Sequence, residues 1–306
     1  MLKKTLRGVV PPMVTPLLNN DTLDVKGTER LVDHLLKGEV AGLFLLGTTG
    51  EGTNLSPVLR DELVSRVCSQ VAGRVPVLVG VSDTDFSESL RLAKRAAELG
   101  ASAVVAAAPF YFALGQMELV AYYTRLAERQ PLPVFLYNMP SHVKVMLDIE
   151  TVRVLARNPK IFGIKDSSAN IAYFNNIRRI KNERASFSVF MGPDEALGEA
   201  VLLGADGGVC SGANLFPRLF VDLWRAAQAC NIDRVRELQE RVLRVDEAVY
   251  TMGRDATRYV KGLKCALNLM GICDDAMTEP FDRFAPPERT IIRERLMGLG
   301  VGGLNE

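Results

Sequence analysis

The sequence has 306 residues, of which 48% are hydrophobic and 24% are charged, as in an ordinary globular protein. Its formal net charge of +1, without a basic stripe, gives no electrostatic attraction to nucleic acid or to an anionic membrane surface. No apolar run approaches the roughly 18 residues that a membrane helix needs. The N-terminal apolar run is short and contains Pro11 and Pro12, so we expect no signal peptide.

The cysteines are odd in number, widely spaced and without a C-x-x-C pair: Cys68, Cys210, Cys230, Cys265 and Cys273. This pattern argues against a disulfide framework and against a zinc site, and it favours a reducing cytoplasm. We therefore predict a cytoplasmic protein with no metal. The only histidines are His34 and His142, so acid–base chemistry cannot depend on a histidine pair.

Short apolar runs rich in Val, Leu and Ile alternate with amphipathic stretches along the chain. The runs lie at 8–14, 41–46, 76–80, 102–107, 133–137, 161–165, 187–191 and 207–211. The helical pattern after the first run stops at Gly38, and Ser56 precedes Pro57 as an N-cap signal. Eight such alternations indicate a parallel sheet covered by helices and favour an α/β fold, the closed (β/α)8 or TIM barrel.

A doubly wound open sheet is the alternative, but no G-x-G-x-x-G follows the first strand. After residue 217 the strand patterns stop, and residues 217–298 have the pattern of three or four helices, one of which completes the barrel. We therefore predict one structural unit with a barrel over 1–225 and a C-terminal helical extension over 226–306.

Chemistry in such barrels lies at the carboxyl ends of the strands. The segments expected there are GTTGEGT (47–53), APFYF (108–112), LYNMPS (136–141), GIKDSS (163–168), MGPD (191–194) and GGVCSGAN (207–214). Lys165 ends the sixth apolar run. It is either a lysine with a packed stem and a solvated ammonium, or a desolvated amine that can attack a ketone.

The segment GTTGEGT lacks the lysine of a nucleotide-binding loop. Its backbone N–H groups and the hydroxyls of Thr48 and Thr49 suit a small carboxylate, although an ordinary turn is the alternative. Tyr137 and Tyr111 are candidate proton carriers, or packing residues. Glycines around strands seven and eight lie where many barrels bind phosphate, but packing is the better explanation, because 207–214 contains no lysine or arginine. Asp274 and Asp275 are expected to be solvated.

Together these motifs resemble the dihydrodipicolinate synthase / N-acetylneuraminate lyase family of pyruvate-dependent class I aldolases, over roughly residues 8–298. The resemblance implies a Schiff-base lyase that condenses pyruvate with an aldehyde or releases it from a 2-keto acid or keto-deoxy sugar acid. It also implies a small-molecule substrate, no organic cofactor, and a homotetramer built as a dimer of dimers.

By this resemblance Lys165 is the Schiff-base lysine and Tyr137 is the proton shuttle. Thr48, Thr49 and Gly47 bind the pyruvate carboxylate, and Thr48 also takes part in the proton relay. Tyr111 resembles a tyrosine that is often lent across a dimer interface. Cys210 lies where a backbone carbonyl lines the pocket.

One position departs from the pattern of the lysine-pathway synthases. Those enzymes typically carry Arg-Thr-Gly after YN-x-P-S, with the arginine gripping the carboxylate of the second substrate. Here the residues are His142, Val143 and Lys144. A histidine is not a bidentate cation, so we assign His142 to substrate binding with an altered specificity; a loop residue hydrogen-bonded to the backbone is the alternative. Dihydrodipicolinate synthase remains one alternative, and a catalytically silent keto-acid-binding barrel remains another.

Overall fold

The structure is a computed structural model that describes residue 2 and residues 5–305. Within residues 5–305, eight parallel strands form one sheet. The strands are β1 (Gly8–Val9), β2 (Leu43–Leu45), β3 (Val77–Gly80), β4 (Ala103–Ala107), β5 (Val134–Asn138), β6 (Ile161–Asp166), β7 (Ser188–Met191) and β8 (Gly207–Gly208). From β2 to β8 each strand pairs with the next in the sequence, and β8 pairs with β1. A separate antiparallel hairpin joins Leu17–Asn19 to Thr22–Leu23.

The sheet closes between β1 and β2 without a regular ladder. Pro12 forms an isolated parallel bridge with Phe44, and the N–H of Phe44 donates to the carbonyl of Pro11 at 3.0 Å. The N–H of Met13 donates to the carbonyl of Phe44 at 2.9 Å. Because Pro11 and Pro12 have no N–H to donate, regular pairing ends after Val9 although the chain continues along the barrel.

Helices surround the barrel and continue beyond it. The helices of the described residues are α1 (Val25–Lys37), α2 (Pro57–Val71), α3 (Phe86–Glu98), α4 (Gln116–Arg129), α5 (Pro140–Val143), α6 (Ile149–Ala156), α7 (Ile171–Arg178), α8 (Leu197–Leu202), α9 (Pro217–Gln228), α10 (Ile232–Tyr250), α11 (Arg258–Leu269) and α12 (Pro286–Gly298). Short 3₁₀ turns lie at Arg179–Asn182, Asp194–Ala196 and Ser211–Asn214. Helix α9 follows the last strand, and α10, α11 and α12 form the C-terminal extension.

The helix ends follow the capping signals of the sequence. The Ser56 hydroxyl accepts a hydrogen bond from the N–H of Leu59, and Pro57 occupies the first helical position of α2. The N–H of Gly38 donates to the carbonyls of the last turn of α1. The capping signals therefore predicted both the end of α1 and the start of α2.

The strands are mostly apolar because both of their faces are covered, and polar residues such as Asn138, Lys165 and Asp166 lie at carboxyl ends. Every residue of β4 and β5 is buried. Inward-facing aromatic side chains fill the barrel, where Phe135 packs edge to face on Phe190 with ring centroids 6.2 Å apart. An apolar barrel interior excludes water from any polar group that points into it.

The predicted (β/α)8 barrel with a C-terminal helical extension is confirmed. The first and last regular strands are shorter than the predicted runs 8–14 and 207–211. The proposed boundary between residues 225 and 226 falls within α9 and stays a prediction. In the described part of the chain, no helix combines the length and the apolar character needed to cross a membrane.

Candidate active site

Lys165 and Tyr137 are partners in the parallel register of β6 and β5. Residues in register on neighbouring strands point to the same face of the sheet, which here is the barrel interior. The Nζ atom of Lys165 lies 4.2 Å from the centre of the Tyr137 ring and 5.4 Å from that of Phe44. The β-strand pairing therefore places the amine directly against the phenol.

Lys165 is 7% exposed, although it carries an ammonium-forming side chain. It borders a small space inside the barrel that is walled by Phe44, Phe135 and Phe190. No salt bridge to Lys165 occurs among residues 5–305. A desolvated lysine without a carboxylate partner is the environment in which an amine acts as a nucleophile.

The phenol of Tyr137 is adjusted by its neighbours. Its hydroxyl lies 3.2 Å from the Thr48 hydroxyl. Burial by itself raises the pKa of Tyr137, but the charge of Lys165 and hydrogen bonds with Thr48, Lys165 and Ser167 outweigh burial, so the pKa lies below its ordinary value. A phenol with a lowered pKa exchanges protons more readily near neutral pH.

The turn after β2 carries Thr48 and Thr49 at the barrel mouth. Its N–H groups at Gly50, Glu51 and Gly52 donate to carbonyls within the turn, at 3.1, 3.1 and 3.2 Å. In residues 5–305, the N–H groups of Thr48 and Thr49 have no acceptor. Two unpaired N–H groups beside two hydroxyls can bind a small carboxylate.

The same turn is tightly constrained by backbone contacts. A Cβ added at Gly52 would lie 2.1 Å from the carbonyl oxygen of Leu46, and Leu46 itself has a φ of 59°. Only glycine fits at residue 52 without moving this turn.

Glu51 attaches the turn to the C-terminal extension. Its Oε1 atom lies 2.6 Å from Nζ of Lys264 in α11, and Lys264 is fully buried. Its Oε2 atom accepts hydrogen bonds from both the N–H and the hydroxyl of Thr278, each at 2.8 Å. The ion pair and these hydrogen bonds compensate the desolvation of both charges.

A second chain of hydrogen bonds reaches Thr49 from the opposite side. The Thr49 hydroxyl lies 3.0 Å from the Ser211 hydroxyl. Asp194 accepts hydrogen bonds from the N–H groups of Ser211 and Gly212, at 2.9 and 2.7 Å, and from the hydroxyl of Tyr250 at 3.0 Å. Burial raises the pKa of Asp194, while these donors act in the opposite direction.

Two polar side chains join the ends of β5 and β6. Asn138 donates to Asp166 at 2.8 Å, and Asp166 also accepts from the N–H and the hydroxyl of Ser168 at 3.1 and 3.0 Å. Burial raises the pKa of Asp166 despite these donors. This network holds the strand ends that carry Tyr137 and Lys165 in register.

A cavity of about 400 Å³ opens above Tyr137. Its walls include Gly47, Thr48 and Phe44 from the barrel, and residues of the C-terminal extension complete it: Ala256, Thr257, Tyr259, Val260, Met277 and Phe281. This volume is in the range of small-molecule sites.

The structure brings some of the predicted site residues together and leaves others apart. Tyr137, Thr48 and Gly47 line the cavity, and Thr49 lies beside it. Lys165 contacts the ring of Tyr137 from the small space inside the barrel and does not itself line the cavity. His142 lines the cavity, and its side chain is exposed. The pKa of His142 lies below its ordinary value, mainly because of desolvation and secondly because of the charge of Lys165. Cys210 is fully buried outside the cavity lining, so a role for its carbonyl stays a prediction.

Tyr111 is 71% exposed and does not reach the cavity within its own chain. It packs edge to face on Phe112, which is 74% exposed, with ring centroids 5.0 Å apart. Its proposed role across a subunit interface also stays a prediction.

Sequence reasoning did not identify the residues that support the turn from outside. Lys264 and Glu51 are separated by 213 residues, so no local pattern connects them. A lysine on an otherwise apolar stretch of α11 was the available signal for Lys264. Tyr250 and Asp194 likewise come from distant segments.

Comparison with known proteins agrees with this geometry. Residues 5–296 match the Dihydrodipicolinate synthetase family. The probable 2-dehydro-3-deoxy-D-pentonate aldolase YjhH of Escherichia coli K12 is 35% identical over 271 residues, which is 88% of this chain and 89% of that protein.

Two solved structures are also similar. Dihydrodipicolinate synthase from Bacteroides thetaiotaomicron is 48% identical with a TM-score of 0.94, covering 97% of this chain and 100% of that chain. YagE from E. coli K12, solved in complex with pyruvate, is 29% identical with a TM-score of 0.91, covering 96% and 98%. The chain belongs to the Dihydrodipicolinate synthetase family, and it is a pyruvate-dependent lyase of the class I aldolase type.

Proposed function

We propose that Lys165 forms the Schiff base with pyruvate. The observation that carries this assignment is the position of its Nζ atom, which is buried and lies 4.2 Å from the ring of Tyr137, a residue that lines the cavity together with Thr48. The neutral amine attacks the ketone carbon, and the carbonyl oxygen leaves as water after taking up protons. The resulting iminium carries a positive charge on the nitrogen.

The iminium then acts as an electron sink. Loss of a proton from the adjacent methyl carbon gives an enamine, whose carbon forms a bond with the carbon of an aldehyde. The aldehyde oxygen takes up a proton and becomes a hydroxyl group. Addition of water to the new iminium releases the 2-keto acid and restores the lysine amine; the same steps in reverse cleave the carbon–carbon bond.

Tyr137 carries the protons in these steps. Its hydroxyl is hydrogen-bonded to Thr48 and its ring contacts the reacting nitrogen, so it lies within reach of groups attached to that nitrogen. Its pKa, which the charge of Lys165 and the hydrogen bonds of its hydroxyl lower, favours proton transfer by the phenol. Thr48 passes protons between Tyr137 and the cavity, which it also lines.

The pyruvate carboxylate binds at the turn after β2. The hydroxyls and N–H groups of Thr48 and Thr49 supply its donors, and Gly47 allows close approach to the backbone. Ser211 orients the Thr49 hydroxyl. Binding at this point directs the ketone carbon toward Lys165.

Reductive trapping tests the assignment. The protein is incubated with pyruvate and borohydride, and its peptides are mapped by mass spectrometry. We expect one reduced pyruvate adduct on the peptide that contains Lys165, none on the peptide that contains Lys264, and none in a Lys165→Arg variant. A protein that binds pyruvate without forming an adduct would instead be a keto-acid-binding barrel.

The product class that we favour is a 2-keto acid of the keto-deoxy sugar acid type. The similarity to the probable pentonate aldolase supports it, as does His142 in the place of an arginine. The second candidate is 4-hydroxy-tetrahydrodipicolinate synthase of lysine biosynthesis, which the 48% identity to a dihydrodipicolinate synthase favours. Turnover of pyruvate with aspartate semialdehyde, measured against an aldehyde without a carboxylate, decides between them.

We place the active protein in the cytoplasm as a homotetramer made of two dimers. Exposed Tyr111, Phe112 and Met117 support an interface, because large apolar side chains grouped on a surface mark contacts between proteins. The five unpaired cysteines support a reducing compartment. Analytical ultracentrifugation is expected to give a tetramer that Tyr111→Ser weakens, whereas a monomeric wild type would contradict the proposal.

A further inference from the structure

The cavity above Tyr137 is larger than pyruvate needs, and the remaining space must take the second substrate. Many of its wall residues have apolar side chains: Phe110, Met139, Val143, Val260, Met277 and Phe281. They come from the loop after β4, from the segment after β5 and from the C-terminal extension. A ligand that fills this space gains from burying apolar surface.

Positive charge is missing from these walls. In the part of the chain that the structure describes, neither a lysine nor an arginine lines the cavity. The neighbouring Lys165 lies beneath Tyr137 and Phe44, and in the reaction its nitrogen is bonded to pyruvate. The nitrogen of Lys165 is therefore not available to pair with a carboxylate of the second substrate.

Neither Glu51 nor His142, the carboxylate and the imidazole of the cavity lining, replaces a cation. Glu51 is the carboxylate of the lining, and it is held by Lys264 and Thr278. His142 has a pKa lowered by desolvation and by the charge of Lys165, and its Nδ1 atom lies 3.0 Å from the Ser141 hydroxyl. A neutral imidazole cannot pair with a carboxylate as an arginine does.

Apart from Glu51 and His142, the polar side chains of the lining carry hydroxyls or an amide: Thr48, Thr53, Asn54, Ser82, Tyr137, Thr257 and Tyr259. The Ser82 hydroxyl accepts a hydrogen bond from the N–H of Ala107, and the Thr53 hydroxyl donates to Asn54. These groups can meet the aldehyde oxygen or one hydroxyl of a ligand. An anionic group placed among them would lose its hydration without gaining an ion pair.

From the chemistry of these walls we propose that the acceptor aldehyde is uncharged and that one side of its carbon chain packs on the apolar wall of the cavity. This inference rests on the proposed lyase function and specifies its second substrate. The apolar wall binds the body of the aldehyde, and the hydroxyl groups near Thr48 hold its oxygen. Aldehydes that end in a carboxylate are discriminated against by desolvation.

A matched pair of aldehydes tests the inference. Butyraldehyde and succinic semialdehyde have the same four-carbon chain, and only the second ends in a carboxylate. With saturating pyruvate, we expect kcat/KM for butyraldehyde to exceed that for succinic semialdehyde by roughly 10- to 100-fold. Equal values, or a preference for succinic semialdehyde, would overturn the inference.

Two variants test the effect of an added positive charge, one with an arginine on the cavity lining and one with an arginine outside the cavity. His142→Arg places a guanidinium on the lining and is expected to shift the ratio of the two kcat/KM values toward succinic semialdehyde by about 10-fold. Ser141→Arg adds the same charge at an exposed neighbour that does not line the cavity, and is expected to leave the ratio unchanged. Equal shifts in both variants would also overturn the inference.

Failure of this inference can be told from failure of the lyase assignment. Borohydride trapping of pyruvate on Lys165 needs no acceptor. A normal adduct together with a preference for succinic semialdehyde rejects the uncharged acceptor and keeps the lyase. Absence of the adduct rejects the lyase assignment itself.

Discussion

The hydroxyl of Tyr250 in α10 donates a hydrogen bond of 3.0 Å to Asp194, and Asp194 in turn accepts from the N–H of Ser211, whose hydroxyl contacts Thr49. Asp194 thus connects the C-terminal extension to the proposed carboxylate site, in addition to the contacts that Glu51 makes with Lys264 and Thr278. We expect Tyr250 and Asp194 to be positioning residues, because their hydrogen bonds reach the proposed carboxylate site through Ser211 and Thr49.

Tyr250→Phe is expected to raise the KM for pyruvate by about 3- to 10-fold, with a smaller change in kcat. The variant removes one hydrogen bond to the carboxylate of Asp194, so that Asp194 holds Ser211 less firmly. Steady-state kinetics at varied pyruvate measures the change. Tyr123→Phe removes the hydroxyl of another buried tyrosine, which donates to the carbonyl of Ala106, and serves as the control. Equal effects on KM in the two variants would contradict the positioning role.

Lys264→Met is expected to lower the free energy of unfolding by about 3–5 kcal/mol, because Glu51 remains buried without its cation. Urea denaturation followed by circular dichroism measures this loss. A double variant with Glu51→Gln should lose less than Lys264→Met alone, since the unpaired charge is removed as well.

The exposed pair of Lys26 and Glu29 provides the comparison for that experiment. Lys26→Met is expected to change the free energy of unfolding by less than about 1 kcal/mol. If Lys264→Met were as mild as Lys26→Met, the buried ion pair would not hold the turn.

Thr48→Val is expected to raise the pKa of Tyr137, because the variant lacks one of the hydrogen bonds that oppose the effect of burial. Ultraviolet absorbance of tyrosinate, followed as the pH is raised, measures this shift. The contribution of Tyr137 is the part of the titration that is lost in the Tyr137→Phe variant. Tyr137→Phe should also reduce kcat by roughly 100-fold if the phenol carries protons. Thr251→Val, at an exposed threonine, should leave the titration unchanged.

Asp246 in α10 is expected to make the free energy of unfolding depend on pH. Burial first, and then the charges of Asp194 and Glu195, raise its pKa from 3.8 to about 9, and its Oδ1 atom has no hydrogen-bond partner in the described structure. A carboxyl whose pKa is raised on folding binds its proton more tightly in the folded state. Its contribution to stability is complete below the unfolded pKa and decreases as the pH rises toward about 9.

Asp246→Asn should therefore reduce the fall in Tm between neutral pH and about pH 9, because the amide resembles the protonated carboxyl. Thermal unfolding across that interval measures it. Asp233→Asn, whose side chain in the same helix is 96% exposed, is the control. A Tm profile that is identical in Asp246→Asn and the wild type would show that Asp246 does not titrate in this way.

The barrel could be predicted because its signals are local. Apolar runs identify the strands, and the segments after them carry Thr48, Tyr137 and Lys165 in the chain order that the fold requires. Pairing of Tyr137 with Lys165 follows from the parallel register of adjacent strands. The short length of β1 could have been inferred from Pro11 and Pro12, which cannot donate to a ladder.

Long-range contacts could not be predicted in this way. Asp275 was expected to be solvated, and this was wrong: it is 3% exposed and pairs with Arg283 and Arg289 at 2.8 and 3.1 Å. Acidic residues in an interhelix loop look the same in sequence whether or not distant arginines cover them. The same limit applies to the pairing of Glu51 with Lys264.

The two walls of the cavity have separate origins in the chain. The lysine and the phenol belong to strands whose register is held by the whole sheet, whereas Thr257, Met277 and Phe281 belong to helices and loops outside the barrel. Substitutions in those outer segments can change the choice of aldehyde while the amine to which we assign the Schiff base stays in place. Evolution can therefore diversify the products of this scaffold without rebuilding its reaction centre.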